Sequence, residues 1–340
     1  MTVAIAILNW NGKEHLETYL PSVVEHSSQH SIYIIDNGST DDSIDFVQSV
    51  YPSINIIQLD QNHGFCGGYN KGLSQISAEY YILLNSDIEV SPNWVENQLT
   101  ELQKDTNIVA CQPKIKAYKD KEKFEHAGAS GGYIDVLGYP FCRGRILMNE
   151  EQDHGQYDTT KDIFWATGAA LLIKAEIFHS LGGLDETFFA HMEEIDLCWR
   201  IKNAGYRIIC VPQSVVYHLG GATLSYDNPR KTYLNFRNGL AILLKNLPGS
   251  YVIPILFARL LLDGVAGVQF LVLGYFRHTW AIVRAHFAFY SRIPYYLKLR
   301  KRYVKNVKTH HHVEMFKRSI VFNYFILKRK TFHSLNFLNR

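Results

Sequence analysis

Short apolar runs alternate with amphipathic stretches along the first half of the chain. The apolar runs have the length of strands and end in polar or glycine-containing turns, whereas the stretches between them repeat apolar residues at helical spacing. This alternation predicts βαβ units and a mostly parallel sheet. The predicted strands are Val3–Leu8, Ser31–Ile35, Ile54–Leu59, Tyr80–Leu84 and Ile108–Cys111. The predicted helices are Leu16–His26, Ser43–Tyr51 capped by Asp41 or Asp42, Gly68–Gln75, and Pro92–Lys104 with proline at its first position.

Residues 112–162 have no clear period and are rich in glycine, tyrosine and charge. We expect them to form a variable loop region that contacts substrate. A strand at Gly168–Ile173 and a helical run ending at Gly205 then resume the predicted core.

The last quarter of the chain differs in character. The segment Tyr251–Phe276 is long and apolar, but Arg259 and Asp263 interrupt it at a spacing that lets them pair on one helix face. Its length suits a membrane span, and its charges argue against one. An amphipathic helix at the membrane interface, followed by basic and aromatic segments, fits better, and a buried helix with a solvated basic tail is the remaining alternative. We therefore expect two parts, residues 1–247 and 248–340.

The formal net charge of +3 hides an uneven distribution. From Arg277 onward the chain has fifteen Lys or Arg residues and one acid, Glu314, so residues 1–276 carry more acids than bases. A basic C-terminal region calls for an anionic partner, which can be lipid headgroups, nucleic acid or an acidic protein. Charge alone does not choose among these partners.

The five cysteines are widely spaced and form no CxxC motif, and several lie in apolar runs. This pattern favours buried thiols in a reducing compartment over disulfides or a zinc site. The N-terminus runs straight into the first apolar strand without a basic segment, so it does not resemble a signal peptide. Together these features predict residence in the cytoplasm.

The segment His191–Arg200 concentrates acidic residues at the start of a predicted helix. Glu193, Glu194 and Asp196 are interspersed there with apolar residues such as Ile195, so we expect a half-buried helix start whose acids face a cleft. Acids at a helix N-terminus also gain from the helix dipole. A half-buried carboxylate beside others has a raised pKa, as a general base requires. A plain capping cluster is the alternative.

Four polar loops follow predicted strands, at the positions where α/β sheets bind ligands. They are Asn9–Gly12, Asp36–Asp41, Asn62–Gly72 and Leu83–Asp87. The third loop has four glycines within nine residues, which would let the backbone approach a ligand closely, but it matches neither GxGxxG nor a P-loop. The fourth ends in Asp87, whose carboxylate suits a divalent cation that holds phosphate. The alternative at each loop is an ordinary turn or helix cap. This alternative is weakened because all four loops would converge at one edge of the sheet.

In this order, the segments resemble the family-2 inverting glycosyltransferases of the GT-A fold, especially the rhamnosyltransferase-like members. The resemblance covers about residues 1–245. It rests on Ile7–Gly12, Asp36–Asp41, Asn62–Phe65 with Gly68 and Asn70, Leu83–Asp87, and Thr167–Ala170 through Arg200. It implies an α/β, Rossmann-like nucleotide-diphospho-sugar transferase with a mixed, mostly parallel sheet, here followed by a helical appendage that associates with the membrane.

The resemblance also assigns the donor side of the site. Asp36 would contact the nucleobase or ribose of a nucleotide sugar, and Asp87 would hold Mg²⁺ or Mn²⁺ on the diphosphate as the last residue of the family's Asp-x-Asp motif. Asn85 stands where the family has the first aspartate of that motif. His218, which ends a later strand, would bind the cation or touch the diphosphate, with a hydrogen-bonded structural histidine as the alternative. The other expected donor-binding residues are Asn9, Asn11, Gly64 and Asn70.

On the acceptor side, Glu193 and Glu194 resemble the family's Glu-Asp pair, whose second member is the catalytic base. Here that second member is a glutamate. Asp196 would orient the helix or the acceptor, and Arg237 would stabilise the departing diphosphate with paired hydrogen bonds. Weaker candidates are Arg230 and Lys231 for the diphosphate, and Trp165 and Trp199 for either the acceptor cleft or the core.

The implied reaction moves a sugar, with inversion, from a UDP- or dTDP-sugar to a hydroxyl of a glycan or polyprenyl-linked acceptor in cell-surface polysaccharide synthesis. The C-terminal region would bind an anionic membrane surface, peripherally at the inner face of the cell membrane, and we expect no nucleic-acid partner. A sugar nucleotidyltransferase and a non-catalytic membrane scaffold are the alternatives. The first usually has a basic glycine-rich loop after strand one, which Asn9–Gly12 lacks, and the presence of Asp87 and Glu194 argues against the second.

Overall fold

A computed structural model describes residues 1–220 and 228–337. The strands lie in two sheets, one of ten strands and one of five. In chain order they are β1 (Val3–Asn9), β2 (Ser31–Asp36), β3 (Asn55–Gln58), β4 (Tyr80–Asn85), β5 (Ile88–Val90), β6 (Ile108–Ala117), β7 (Asp120–Phe124), β8 (Gly132–Asp135), β9 (Pro140–Cys142), β10 (Arg145–Ile146), β11 (Asn149–Glu150), β12 (Lys161–Asp162), β13 (Ala170–Lys174), β14 (Arg207–His218) and β15 (Met315–Phe316).

The ten-stranded sheet is mixed, with a parallel half built from the predicted βαβ units. Its order is β12-β14-β6-β13-β4-β1-β2-β3, with β5 paired to β14 and β7 to β6. Strands β1, β2, β3 and β4 are mutually parallel, and β13 runs antiparallel between β4 and β6. Because β1 pairs Asn9 with Asp36 and Leu8 with Asn85, the predicted donor loops share one sheet edge. The predicted α/β fold is therefore confirmed.

Helices cover both faces of this sheet and form the C-terminal region. They are α1 (Lys13–Glu25), α2 (Ser43–Val50), α3 (Gly64–Leu73), α4 (Trp94–Leu102), α5 (Ala175–Ser180), α6 (Glu193–Asn203), α7 (Pro229–Asn246), α8 (Gly249–Val272), α9 (Phe276–Ser291), α10 (Ile293–Tyr303) and α11 (Ile320–Phe325). The prediction that Pro92 begins α4 is wrong, because Asn93 has φ of 59° and the helix cannot pass through that left-handed residue.

The glycine-rich segment after β3 is a helix, and its glycines serve packing. Only Gly64, at the start of α3, has a left-handed φ, of +71°. A Cβ on Gly68 would lie 2.6 Å from a Leu8 methyl carbon, and one on Gly72 would lie 2.4 Å from Ile35. These glycines let α3 lie directly on β1 and β2. We expected these glycines to let the backbone approach a ligand. At Gly68 and Gly72 they instead let the helix approach the sheet.

Residues 112–162 are ordered strands instead of the expected loop region. They extend β6 and form most of the second sheet, in the order β11-β10-β9-β8-β15. Its buried aromatic rings, Tyr133 and Phe141, pack against Phe316 and Phe332 from the end of the chain. The weak period of this region reflects strands that are buried on both faces, which lose the alternation of polar and apolar residues.

Helices α8 and α9 pack against each other and leave a broad apolar face uncovered. Among the described residues, α8 is the helix that is long and apolar enough to cross a membrane by length and composition. Its charged side faces inward, because Arg259 and Asp263 are buried and lie 3.5 Å apart. Arg259 donates to the Leu137 carbonyl at 2.8 Å, and Asp263 contacts His286 of α9 at 3.1 Å. The exposed apolar residues include Ile253, Phe257, Leu261, Val265, Val268, Val272, Phe276, Trp280 and Phe287.

Replacing Gly72 with alanine tests the packing of α3 on the sheet. The added methyl group would overlap Ile35, and we expect the free energy of unfolding to fall by about 1–3 kcal/mol, measured by denaturant titration. Gly264→Ala is the matched control, because nothing lies within 4 Å of its added Cβ in α8. That variant should gain up to about 1 kcal/mol from helix propensity. Equal stabilities for the two variants would contradict the packing role.

Candidate active site

The carboxyl ends of β1 and β2 form a buried polar edge. Asn9 is fully buried, and its Nδ2 group donates to Ser43 Oγ at 2.9 Å and to Asp36 Oδ1 at 3.3 Å. The Asn9 Oδ1 atom is buried without a hydrogen-bond partner among the described residues. Asp36 is 5% exposed and its other oxygen accepts from the Ser39 backbone N–H at 3.3 Å. This edge therefore presents ordered hydrogen-bonding groups next to Asp36.

Two asparagines fix the neighbouring loops to one another. Asn11, with φ of 51°, accepts a hydrogen bond from the Thr40 backbone N–H at 2.7 Å, which joins the first loop to the second. Asn37 accepts from the His63 N–H at 2.9 Å and donates to the Gly64 carbonyl at 3.1 Å, which joins the second loop to α3. The three loops consequently form one connected rim.

Asp87 and His218 meet between β5 and β14. The pairing of Ile88 with His218 brings His218 Nε2 to 3.2 Å from Asp87 Oδ1, and Glu125 Oε2 lies 3.2 Å from the other ring nitrogen. Burial disfavours the imidazolium, but the two carboxylates that face the ring, Asp87 and Glu125, prevail and raise the pKa of His218 to about 10. Asn85 completes the group, with its amide nitrogen 3.5 Å from Nε2.

The side chains of this group can supply some, but not all, of the ligands of a divalent cation. A carboxylate and an imidazole face each other, and Glu125 stands behind the histidine, where a carboxylate fixes the tautomer of a metal-binding ring. A cation at Nε2 would replace the proton that His218 shares with Asp87. No complete group of three or more acidic, histidine or cysteine ligands occurs among residues 1–220 and 228–337. The other ligands would be substrate phosphate oxygens and water, as is usual for Mg²⁺.

The first turn of α6 carries a pair of unneutralised carboxyl groups, Glu193 buried and Glu194 half-buried. Glu193 and Glu194 each have an Oε2 atom that is buried without a hydrogen-bond partner in the described structure. Burial raises the pKa of Glu194 to about 7, and burial together with the neighbouring Glu194 charge raises the pKa of Glu193 well above its usual value. Neither side chain caps the helix, because the capping position is Met192 and it has no side-chain cap bond.

Glu194 lies next to the segment that immediately precedes β13 and contacts Asn85 of the cation group. A Cβ on Gly168 would be 3.5 Å from Glu194 Cβ, and the adjacent Ala169 carbonyl accepts the Asn85 N–H at 2.9 Å. The carboxyl pair and the Asp87 group are thus joined through the start of β13.

A strained loop leads into the carboxyl pair, and α7 holds it. Phe189, His191 and Met192 all have φ between 67° and 72°, which is unfavourable for residues with a side chain. Asn238 Nδ2 lies within hydrogen-bond distance of the carbonyls of Phe188 at 3.2 Å, Ala190 at 3.0 Å and His191 at 2.7 Å. The side-chain amide of Asn238 therefore holds the backbone of the loop in place.

Arg237 of α7 supports the same loop. It is 4% exposed, and its Nη2 group donates to the carbonyls of Thr187 and Phe188 at 2.8 and 2.9 Å. Its Nε atom donates to Asn238 Oδ1 at 2.8 Å. The bonds of Nη2 and Nε hold this loop, and the role of Arg237 in stabilising a leaving group stays a prediction.

Asp196 belongs to a buried ion network instead of the cleft. Lys245 Nζ lies 2.9 Å from Asp196 and 2.6 Å from Asp185, and Arg200 and Asn246 also bond to Asp196. Burial would raise the pKa of Asp196, but the charges of Lys245 and Arg200 outweigh it and hold the pKa below its usual range. Asp196 therefore orients α6, which was one of its two expected roles.

Several other predicted residues lie away from ligand-facing positions. Asn70 forms two hydrogen bonds with the backbone of Leu184, at 2.8 and 2.9 Å, and so joins α3 to the loop before α6. Gly64 lies against the Phe189 ring. Trp165 and Trp199 are core residues, 3% and 1% exposed.

Three contributing residues were not predicted from the sequence. Glu125 follows a short irregular strand that carries no motif. Asn238 lies beside the predicted Arg237 but has no signal of its own. Lys245 was detectable in principle, because a lone lysine ends the apolar run Leu240–Leu244, and a buried lysine requires an acidic partner.

The sheet and its polar edge define a GT-A glycosyltransferase, and the comparisons with known proteins agree. The profile of the family described as Glycosyl transferase family 2 matches residues 4–178, more than half of the chain. The chain belongs to this family.

Relatives of known name include transferases from a bacterium and an archaeon. The chain is 24% identical to an N-acetylglucosaminyl-diphospho-decaprenol L-rhamnosyltransferase of Mycobacterium tuberculosis, over 63% of this chain and 75% of that one. It is 23% identical to the low-salt glycan biosynthesis hexosyltransferase Agl10 of Haloferax volcanii, over 69% and 73% of the two chains.

Solved structures of glycosyltransferases share the fold. S. aureus TarS 1-349 in complex with UDP-GlcNAc aligns with a TM-score of 0.54 and 14% identity, over 90% of this chain and 89% of that one. The mannosyltransferase PcManGT from Pyrobaculum calidifontis, in complex with GDP-Man and Mn²⁺, aligns with a TM-score of 0.51 and 16% identity, over 89% and 85%. GalNAc-T7 with UDP, GalNAc and Mn²⁺ aligns at 0.58 and 17% identity, over 74% of this chain and 49% of that one.

Replacing Lys245 with alanine tests the ion network that orients α6. Asp185 and Asp196 would lose their shared cation in a fully buried site, so the free energy of unfolding should fall by about 3–5 kcal/mol, measured by denaturant titration. Lys104→Ala removes an exposed partner of Glu101 and should cost less than about 1 kcal/mol. A Lys245 variant as stable as the Lys104 variant would refute the role of the network.

Proposed function

We propose that the protein is an inverting glycosyltransferase that moves a sugar from a nucleotide-diphospho-sugar to a hydroxyl of a glycan or lipid-linked saccharide. The proposal depends on the raised pKa of Glu194 and on its position beside Gly168, whose neighbour Ala169 bonds to Asn85 of the Asp87–His218 group. A carboxylate with a pKa near neutrality is matched to accept a proton from a hydroxyl group at physiological pH.

In this mechanism the Glu194 carboxylate removes the acceptor hydroxyl proton while that oxygen attacks the anomeric carbon. The bond from this carbon to the nucleoside diphosphate breaks, and the diphosphate leaves from the opposite face, so no covalent enzyme intermediate forms. Asp36 would bind the nucleoside at the edge that it shares with Asn9 and Asn11. Mg²⁺ or Mn²⁺, when held by Asp87 and His218 with Asn85 beside them, would supply positive charge for the leaving diphosphate.

The named relatives support the substrate classes. UDP, UDP-GlcNAc and GDP-Man are bound by the structural neighbours, and the relative from Mycobacterium tuberculosis is named for a polyprenyl-diphosphate-linked acceptor. We propose a UDP- or dTDP-sugar as donor and a polyprenyl-linked saccharide as acceptor, in synthesis of a cell-surface polysaccharide.

Glu194→Gln tests the base. Release of nucleoside diphosphate, measured with a panel of UDP-, dTDP- and GDP-sugars and Mn²⁺, should fall by at least about a hundredfold, since general bases contribute factors of about 10²–10⁴, while donor binding persists. Wild-type transfer should fall as the pH drops below about 7, because Glu194 becomes protonated. The control variant is Glu176→Gln, which changes an exposed glutamate. Near-normal turnover of Glu194→Gln would assign the base elsewhere, and release of pyrophosphate by the wild type would indicate a nucleotidyltransferase.

The same substitution has an expected effect on stability. Because folding raises the pKa of Glu194, the folded protein loses stability as the pH rises from the unfolded value, near 4.5, through about 7. Glu194→Gln removes this loss, so its Tm should exceed that of the wild type at pH 8 and approach it below pH 4.5.

We further propose that the C-terminal region docks on an anionic membrane surface at the cytoplasmic face. The uncovered apolar face of α8 and α9 exceeds what a solvated surface usually exposes, and the chain from Arg277 onward has fifteen basic residues against one acid. Arg259 and Asp263 face the catalytic domain, so lying in the interface preserves their contacts, whereas spanning the bilayer would separate them from Leu137 and Tyr139.

Vesicle flotation tests this membrane contact. The full chain should float with anionic vesicles, and a variant with Phe257, Val268 and Phe287 changed to serine should not, because these exposed side chains insert among the lipids. Met148→Ser, which removes an exposed apolar residue from the second sheet, should float like the wild type. Flotation of the triple variant at the wild-type level would refute the contact.

A further inference from the structure

Helix α11 has an apolar surface that no other described part of the chain covers. Its inward side is buried at Ile320 and Asn323, and Tyr324 packs against the hydrophobic core. The opposite side of the helix and the turn that follows it are exposed. Four large apolar side chains there are between 45% and 63% exposed, namely Phe322, Phe325, Ile326 and Leu327. A concentration of exposed apolar residues in one short segment indicates a contact surface.

The backbone of α11 is held in place, so this apolar surface belongs to the folded structure. Asp135 of β8 is fully buried, and its carboxylate accepts a hydrogen bond from the Ile320 N–H at 2.8 Å. Ser319 caps the helix by accepting from the Phe322 N–H at 3.2 Å, and Asn323 donates to the Ser319 carbonyl at 2.8 Å. These bonds fix the inward side of α11, and its other side therefore faces outward.

The turn after β8 supports both α11 and α8. Arg259 of α8 donates to the Leu137 carbonyl at 2.8 Å, and the Tyr139 hydroxyl lies 3.4 Å from Asp263 Oδ1. The Asp135 carboxylate, which holds α11, also accepts the N–H groups of Leu137 and Tyr139, at 2.9 and 2.8 Å. The apolar surface of α11 and the uncovered face of α8 and α9 are thus attached to one common support.

Basic side chains border the apolar surface of α11. Residues 315–340 contain six Lys or Arg residues and no acid. Arg329 is used inside the fold, since its Nη1 group donates to Asn323 Oδ1 at 3.2 Å. Four others are exposed on either side of the helix, namely Lys317, Arg318, Lys328 and Lys330. An apolar centre with a basic border matches an anionic lipid surface, whose headgroups attract the cations while its acyl region receives the apolar side chains.

We propose that residues 320–327 insert into an anionic lipid surface as a second membrane contact, separate from the face of α8 and α9. The inference rests on the membrane contact proposed above for that face. Charge favours lipid over a second copy of the chain, because two copies of this acid-free segment repel each other. Neither contact alone gives stable binding, as with lipid anchors that need two signals. Two contacts on one support also limit the tilt of the protein, so the active site keeps one orientation toward the bilayer.

An environment-sensitive fluorophore tests the insertion directly. The five native cysteines are buried, so a thiol-reactive nitrobenzoxadiazole label attaches to an introduced cysteine. Full-length Phe325→Cys with this label is mixed with phosphatidylcholine vesicles that contain phosphatidylglycerol. Its emission should move to shorter wavelength and increase, because the label enters the acyl region. The same label on Val50→Cys, an exposed position at the end of α2, should show no shift.

Flotation of full-length variants measures the contribution of α11. Phe325→Ser with Ile326→Ser should weaken binding to anionic vesicles by roughly ten- to a hundredfold, because two large apolar side chains no longer enter the lipid. Lys328→Gln with Lys330→Gln should weaken that binding by about tenfold and leave binding to neutral vesicles unchanged. Val50→Ser is the matched apolar control and should bind like the wild type. The replaced side chains are exposed, so every variant should keep the wild-type Tm.

An unshifted label at position 325 on vesicles that carry the protein overturns the second contact while the contact of α8 and α9 stands. Wild-type affinity of both double variants has the same meaning. Absence of vesicle binding by the wild type overturns both contacts. A lipid-free dimer that Phe325→Ser with Ile326→Ser dissociates, measured by analytical ultracentrifugation, assigns the surface to a second copy and counts against insertion. Failure of glycosyltransfer is a separate result, because vesicle binding is measured without substrates.

Discussion

The ion pairs of Lys245 with Asp185 and Asp196 fix the arrangement on which the proposed active site depends. All three side chains are buried, so the charges are tolerable only when α6, α7 and the loop at Asp185 keep their mutual positions. This constraint places Asn238 and Arg237, on the same helix as Lys245, against the loop that precedes Glu193. The strained backbone of that loop is then maintained by hydrogen bonds to its carbonyls.

The acids of α6 divide into two functions because their surroundings differ. Asp196 faces Lys245 and Arg200, which hold its pKa low and make it a structural anion. Glu193 and Glu194, in the same first turn, have no cation paired with them within residues 1–220 and 228–337, and their pKa values rise. A single helix start therefore supplies both the anchor of the fold and the carboxyl group that suits proton transfer. The difference arises from contacts made by α7.

Helix α7 also connects α6 to the C-terminal helices. It packs against α6 on one side and against α9 and α10 on the other. Inward-facing Arg259 and Asp263 tie α8 to the second sheet and to α9, so the uncovered apolar face has a fixed orientation relative to the cleft. The segment that contains β15 returns to the second sheet, where it pairs with β8 and buries Phe316. Both parts of the chain thus share one packed interior.

The sequence by itself determined the features that depend on local pattern. Apolar periodicity located the strands and helices of the parallel half, and the polar loops after β1, β2 and β4 indicated the family. The tertiary structure alone decided that Gly68 and Gly72 serve helix packing, that residues 112–162 form a sheet, and that Arg237 and Asp196 hold other protein groups. The physical reason is range: periodicity reports on neighbours a few residues apart, whereas the partners of Lys245 lie 49 and 60 positions away.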